Sequence, residues 1–193
     1  MKLNILLVFV TLYSLNLTWA QKYKIDPGHS NVQIKVERFG VIDVVGRFKD
    51  LEGTIIYDEG DLSKTTAEST IKVDSYDANN LVGEDAVKSV IFLDVANHPN
   101  ITFESKSVLI KDTSNFLIGD LTIRGVTNEI QLPFTIKGPL MDLASQKQSI
   151  AFNAQTTINR QDYGIELKRA LPNGIKLVAD EVDITLNILA IAE

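Results

Sequence analysis

Apolar and polar residues alternate one by one through most of the chain beyond residue 30. Alternation with period two places every second side chain on one face of a β-strand, so each run predicts a strand with one buried face. Turn-forming groups such as Asp58-Glu59-Gly60 and Pro172-Asn173-Gly174 lie between the runs. Eight runs are present, and their apolar members are Val32, Ile34, Val36; Val44, Phe48; Ala67, Ile71, Val73; Ile101, Phe103; Leu117, Leu121, Ile123; Ile130, Leu132, Phe134, Ile136; Ile150, Phe152, Ala154, Ile158; and Val182, Ile184, Leu186, Ile188.

One segment, residues 77–90, departs from this period. Its apolar residues Val82, Ala86 and Val90 are four positions apart, which predicts a short helix, with Asp77 or Asn79 as its N-cap. Strands that each have one apolar face must close or stack to bury it. The sequence therefore predicts an all-β fold, an antiparallel barrel of about eight strands with one short helix.

The first 20 residues have the layout of a secretory signal peptide. Lys2 gives a basic start, residues 3–17 are mostly apolar, and Thr18-Trp19-Ala20 supplies a small-x-small cleavage site. The alternative, a transmembrane anchor, requires about 20 apolar residues, and this stretch is shorter. We therefore expect cleavage after Ala20, a single domain over residues 21–193, and a periplasmic or secreted protein without stable membrane insertion.

Charge argues against two classes of partner. Residues 1–20 contain one lysine and no carboxylate, so the remaining 18 basic and 25 acidic residues give the mature chain a net charge of −7. Nucleic acids and anionic membranes attract a basic surface, so neither is expected to be a main partner.

The reactive side chains are too sparse for a recognisable catalytic or metal site. Cysteine is absent, which excludes disulfides and thiolate ligands, and the two histidines, His29 and His98, are far apart in turn-like sequences. A nucleophilic triad or a zinc site requires several partners at defined positions, and no such set is present. We expect no catalytic residues, no metal and no cofactor.

The inward faces mix large apolar residues with small ones such as Gly46, Ala67, Ser69 and Gly119. Small inward residues reduce the filled volume, so either a cavity or an ordinary packed core is compatible with this pattern. A cavity would bind an apolar chain by transfer from water, at about 0.8 kcal/mol per buried methylene.

Several short segments, in their order and spacing, resemble the YceI-like family of exported, lipocalin-like, polyisoprenoid-binding proteins. The resemblance spans residues 23–192. Its segments are Tyr23-Lys24-Ile25-Asp26-Pro27-Gly28-His29-Ser30, Val45-Gly46-Arg47-Phe48, Leu51-Glu52-Gly53-Thr54-Ile55, Lys88-Ser89, Phe92-Leu93-Asp94, His98-Pro99-Asn100-Ile101-Thr102-Phe103-Glu104-Ser105, Ile118-Gly119-Asp120-Leu121-Thr122-Ile123-Arg124-Gly125-Val126-Thr127, Ile158-Asn159-Arg160-Gln161-Asp162-Tyr163-Gly164-Ile165 and Ala179-Asp180-Glu181-Val182.

This resemblance implies an extended eight-stranded lipocalin-like barrel with a helix near one end. It also implies an apolar tunnel for an isoprenoid tail, as in polyprenyl lipids or quinones, a periplasmic location and often a homodimer. Two positions depart from the family pattern: Arg38 stands where a histidine is common, and residues 83–87 replace an Arg-Asp-x-His-Leu stretch, with Ala86 at its histidine. These departures affect polar head-group contacts and leave the apolar barrel unchanged.

The leading functional hypothesis is therefore binding, sequestration or transport of a long isoprenoid or similar amphiphilic lipid, without catalysis. Arg38 and Arg160 are the candidates for head-group contact, through a phosphate or quinone oxygen. The alternatives are a filled structural or stress-related barrel that acts through its surface, and a hydrolase or isomerase that uses His29 or His98. The residues predicted to line the tunnel are Phe48, Phe103, Leu121, Ile123, Phe134 and Phe152.

The signal-peptide hypothesis predicts the N-terminus of the mature protein. When the full chain is expressed in a bacterial host, we expect the exported protein to begin at Gln21, because Thr18 and Ala20 fit the signal peptidase site. Intact-mass spectrometry and N-terminal sequencing of the periplasmic fraction measure this directly. Exported protein that retains residues 1–20 would contradict the prediction.

Overall fold

A computed structural model describes residues 20–193, and the predicted signal peptide lies almost entirely outside the described residues. Eleven antiparallel strands and one α-helix make up its main elements. The helix α1 spans Leu81–Lys88. The strands are β1 Gln21–Ile25, β2 Asn31–Arg38, β3 Ile42–Phe48, β4 Leu51–Tyr57, β5 Thr66–Lys72, β6 Tyr76–Asp77, β7 Asn100–Lys111, β8 Ser114–Ile123, β9 Val126–Asp142, β10 Lys147–Asn159 and β11 Glu181–Ala192.

These strands close into the predicted eight-stranded barrel, because three pairs of short strands each form one long stave. The first stave consists of β1 and β2, which both pair with β11. The second consists of β4, paired with β1, and β3, paired with β2. The third consists of β5, paired with β4, and β6, paired with β3. β5 then pairs with β7, and β7 through β11 pair in sequence order. Every stave therefore has a hydrogen-bonded neighbour on both sides, which removes exposed sheet edges.

The register places the alternating apolar residues inside the barrel, as predicted. On β8 the buried positions are Leu117, Gly119, Leu121 and Ile123, while the residues between them are only partly buried. The same alternation on β10 buries Ile150, Phe152 and Ala154. One continuous apolar core thus runs along the barrel axis.

The two ends of the barrel differ in how they are covered. At the end formed by the β7–β8 and β9–β10 hairpins, here called the closed end, Tyr23, Ile150 and Ala190 are at most 2% exposed. At the opposite end, here called the open end, lie the β2–β3 hairpin, helix α1 and the 164–180 loop. The β4–β5 connection also lies at this end, and Leu62 of its short 3-10 helix packs against the core.

The helix is shorter than predicted, and its cap differs. Helix α1 begins after Asn80, whose side-chain oxygen accepts a hydrogen bond from the Gly83 backbone N–H at 3.3 Å. Asp77 belongs to strand β6, and Asn79 has a left-handed backbone with φ of 55°. The predicted caps, Asp77 and Asn79, were therefore wrong, because the chain needs two further residues to turn from the strand into the helix.

The buried core predicts a contrast between two leucines on neighbouring strands. Leu117 is 0% exposed, whereas Leu140 is 72% exposed. Leu117→Ala should lower the free energy of unfolding by about 2–5 kcal/mol because it leaves a cavity in the packed wall. Leu140→Ala should change it by less than about 0.5 kcal/mol.

Urea denaturation followed by circular dichroism measures both changes. Equal effects of the two substitutions would mean that β8 does not turn Leu117 into the barrel as the register requires.

Candidate functional site

The inward faces of the barrel enclose an elongated cavity of about 520 Å³. Its wall is overwhelmingly apolar, with contributions from all eleven strands. Small residues on the wall, such as Ala67 and Ser69, leave the space that larger side chains would occupy. The interior of the described chain is thus incompletely filled by side chains, and the cavity is a place for an apolar ligand.

Five of the six residues predicted to line the tunnel do line this cavity. They come from four different strands, since the period-two pattern turns the same face inward on each. Whether these side chains contact a ligand stays a prediction. The five residues are Phe48, Phe103, Leu121, Ile123 and Phe152.

Phe134, the sixth residue, is a correction: it is buried but does not line the cavity. Its ring stacks on that of Phe152, with centroids 5.2 Å apart and planes 13° apart. Phe134 pairs with Asn115 near the start of β8, beside the β7–β8 hairpin at the closed end. Here the interior is packed with side chains, so Phe134 supports the cavity wall only through its contact with Phe152.

The cavity reaches the surface at the open end. Val82 of helix α1 borders it and is 81% exposed, and Arg38 borders it at the end of β2. Gly83, Ala86 and Val87 form the rest of the helical wall. No residue of the helix is buried, so the cavity is accessible from solvent beside the helix.

Arg38 places a cation at this opening. Its guanidinium carbon lies 4.2 Å from the centroid of the Phe39 ring, and it makes no ion pair with any residue from 20 to 193. The backbone of Arg38 is bridged to Val178 in the 164–180 loop. The bridge holds the backbone of Arg38 in place, while the guanidinium charge remains available to a ligand at the opening.

Arg160, the other predicted head-group contact, is buried and held by the protein itself. Its Nε donates to the Ala179 carbonyl at 3.0 Å, and its Nη2 donates to Asp180 Oδ1 at 2.7 Å. Further donors bond the carbonyls of Ile165, Leu167 and Val178. Although Arg160 borders the cavity, this structure uses its guanidinium to hold the 164–180 loop over the open end.

Asp180 completes this anchor. A hydrogen bond from the Lys176 ammonium, above all, and the nearby Arg160 charge hold the pKa of Asp180 below its ordinary value. The carboxylate therefore stays ionised near neutral pH and keeps its bond to Arg160. Sequence reasoning missed this role, because nothing in the alternation links position 160 to a loop that follows it.

The histidines lie away from the cavity wall. His29 is exposed, and its Nδ1 lies 2.7 Å from Asp26 Oδ2, which raises the pKa of the imidazole through that hydrogen bond. His98 lies next to Gly125 in the β8–β9 turn. Between residues 20 and 193 there is no cluster of three histidine or carboxylate side chains able to hold a metal, and no helix that is long and apolar enough to cross a bilayer.

Residues 23–190 match the family described as the YceI-like domain. A UPF0312 protein of Staphylococcus aureus is 31% identical over 160 residues, covering 83% of this chain and 91% of the relative. A UPF0312 protein of Pseudomonas paraeruginosa is 30% identical over 161 residues, covering 81% and 82%.

Solved structures share the fold. BcnA of Burkholderia cenocepacia superimposes with a TM-score of 0.74 at 22% identity, over 86% of this chain and 98% of that chain. A YceI protein of Campylobacter jejuni gives 0.67 at 24% identity, over 79% and 87%. A polyisoprenoid-binding domain from Saccharophagus degradans, implicated in plant cell wall breakdown, gives 0.69 at 14% identity, over 89% and 98%.

The Arg160 anchor leads to a stability prediction. Arg160→Met removes the donor to Asp180 Oδ1 and to several buried carbonyls, so it should cost about 3 kcal/mol of unfolding free energy. It should also accelerate amide hydrogen exchange in residues 164–180. The matched control is Arg169→Met, which removes an exposed guanidinium from the same loop and should alter neither measurement. Unchanged exchange in Arg160→Met would contradict the anchoring role.

Proposed function

Since the chain belongs to the YceI-like family, we propose that its barrel binds a long apolar isoprenoid or a similar amphiphilic lipid and keeps it from water. The single observation that carries this proposal is the apolar cavity of about 520 Å³ that opens at one end. The barrel fold and the family resemblance first inferred from the sequence motifs are both confirmed. The ligand itself is the part that we propose.

Transfer of the tail from water provides the binding free energy. Each methylene that leaves water for the apolar wall contributes about 0.8 kcal/mol, so a chain of several isoprene units needs no ion pair to bind. Leu117, Leu121 and Ile188 supply such a wall in the depth of the cavity. An amphiphile would enter with its tail first, because the closed end offers no exit for a polar group.

The head group would then remain near the open end. Arg38 borders the cavity there and has no acidic partner among the described residues, so we propose it as the contact for a phosphate or quinone oxygen. Arg160 already donates to the 164–180 loop and Asp180. The head-group role predicted for Arg160 stays a prediction, with Arg38 favoured by its free charge.

The structural relatives, the cavity and the positions of the histidines together favour a lipid over the alternatives. The Saccharophagus degradans domain, which shares the fold, is described as polyisoprenoid-binding. The cavity also weakens the hypothesis of a filled barrel that acts only through its surface. An enzymatic role would require reactive groups at the cavity, and neither histidine lines it. We therefore propose a binding protein that sequesters or transports its lipid in the periplasm, with no bound cofactor.

The test combines lipid identification with a blocked variant. Protein purified from a bacterial host without detergent should release a prenyl or similar amphiphilic lipid on organic extraction, detected by mass spectrometry. Val36→Trp places a large ring in the cavity wall near the opening and should reduce the bound lipid at least tenfold.

The matched control is Val45→Trp. Val45 lies on the neighbouring strand, faces outward and is 46% exposed, so its replacement should leave lipid content unchanged. Circular dichroism confirms that both variants fold. Equal lipid content in Val36→Trp and the parent protein, or no lipid in any of them, would contradict the proposal.

A further inference from the structure

Tyr76 is a polar side chain placed in an otherwise apolar part of the barrel. It belongs to strand β6, lines the cavity and is 3% exposed. Its ring packs at 5.3 Å from that of Phe48. Its hydroxyl lies over Gly46, where a Cβ atom would overlap it, so the absence of a side chain at position 46 makes room for the phenol.

The Tyr76 hydroxyl has no hydrogen-bond partner among residues 20–193. It is not fully enclosed, because Thr65 Oγ1 is the only fully enclosed side-chain nitrogen or oxygen atom of these residues without a partner. The hydroxyl therefore keeps some accessible surface even though the residue is almost wholly buried, and the space that it borders is the cavity. A buried tyrosine hydroxyl normally finds a partner, because an unmade hydrogen bond in an apolar environment is unfavourable. The missing partner points to a ligand atom.

Resting on the proposed lipid-binding function, we propose that Tyr76 donates a hydrogen bond to an uncharged carbonyl oxygen carried by the ligand inside the barrel. The ligand class is therefore an amphiphile with a ketone, quinone, ester or amide group rather than a plain hydrocarbon. Phe48 and Gly46 position the phenol for this contact, one through ring packing and the other through its missing side chain.

The surroundings of Tyr76 favour a neutral group over an anionic one. Arg38 and Arg160 are the only cations on the described cavity wall, and Arg160 is occupied by the 164–180 loop. Gly46 pairs with Ile34, four residues from Arg38 on β2, which corresponds to roughly 13 Å along the strand.

The charge that contributes to the pKa shift of Tyr76 is negative. Burial, with a smaller contribution from the Glu84 carboxylate, raises the pKa of Tyr76, so the phenol remains a donor. A carbonyl oxygen accepts from such a donor without bringing a second negative charge near Glu84.

The experiment compares two probes that differ in one group, a carbonyl oxygen against a methylene. The first is farnesylacetone, a prenyl methyl ketone, and the second is the matched alkene in which a methylene group replaces the carbonyl oxygen. Each competes with a fluorescent apolar probe bound to the purified, delipidated protein. Partition of the two probes between water and octane gives the affinity ratio expected of an apolar site without a hydrogen bond. In the parent protein, the ratio of ketone affinity to alkene affinity should exceed that value about five- to tenfold.

Tyr76→Phe keeps the ring that packs on Phe48 and removes only the hydroxyl. It should abolish this preference by weakening ketone binding about five- to tenfold, while binding of the alkene stays unchanged. The matched control is Tyr23→Phe, because Tyr23 is equally buried but does not line the cavity, and it should leave both affinities unchanged.

The outcomes separate this inference from the proposed function. If both probes bind the parent protein without a preference, or if Tyr76→Phe retains the preference, the Tyr76 contact is refuted while lipid binding stands. If neither probe binds the parent protein, the proposed function fails and the contact fails with it. The preference of the parent protein is measured without any substitution, so a Tyr76→Phe protein that did not fold would leave that test intact.

Discussion

Closure of the hydrogen-bonded barrel is the constraint on which the other features depend. Strand β11 makes it possible, because its two halves pair with β2 and β1 on one side while its whole length pairs with β10 on the other. With no free edge, every inward side chain faces the same enclosed space, and every apolar face is removed from water at once. A cavity can persist in such a wall because the strands are held by their neighbours and not by the contents of the barrel.

The period-two pattern was sufficient to predict the barrel and most of the cavity wall. It failed for strands that lack the pattern. In β4, two isoleucines, Ile55 and Ile56, follow one another, and position 53 is a glycine because a Cβ atom there would overlap the Glu68 carbonyl. β6 has only two residues, too few to show a period. Register, rather than composition, joins these strands into staves, and register depends on partners far away in the sequence.

The candidate site was predicted unevenly for a related reason. Leu121 and Phe103 could be assigned to the wall because an inward face needs only local alternation. Phe134 satisfies the same pattern, yet it lies where the barrel is filled, and the depth at which a cavity ends depends on the packing of several strands. Tyr76 carried no sequence signal, since its position follows from the glycine across the ladder.

The covering of the open end is unequal in strength. On one side the 164–180 loop is tied down by a buried guanidinium with five acceptors. On the other, helix α1 has eight residues, none of them buried. Segments with few buried contacts detach locally at a small fraction of the global unfolding free energy. The open end is therefore covered less firmly by helix α1 than by the 164–180 loop, and local opening is expected at the helix while all eight staves stay paired.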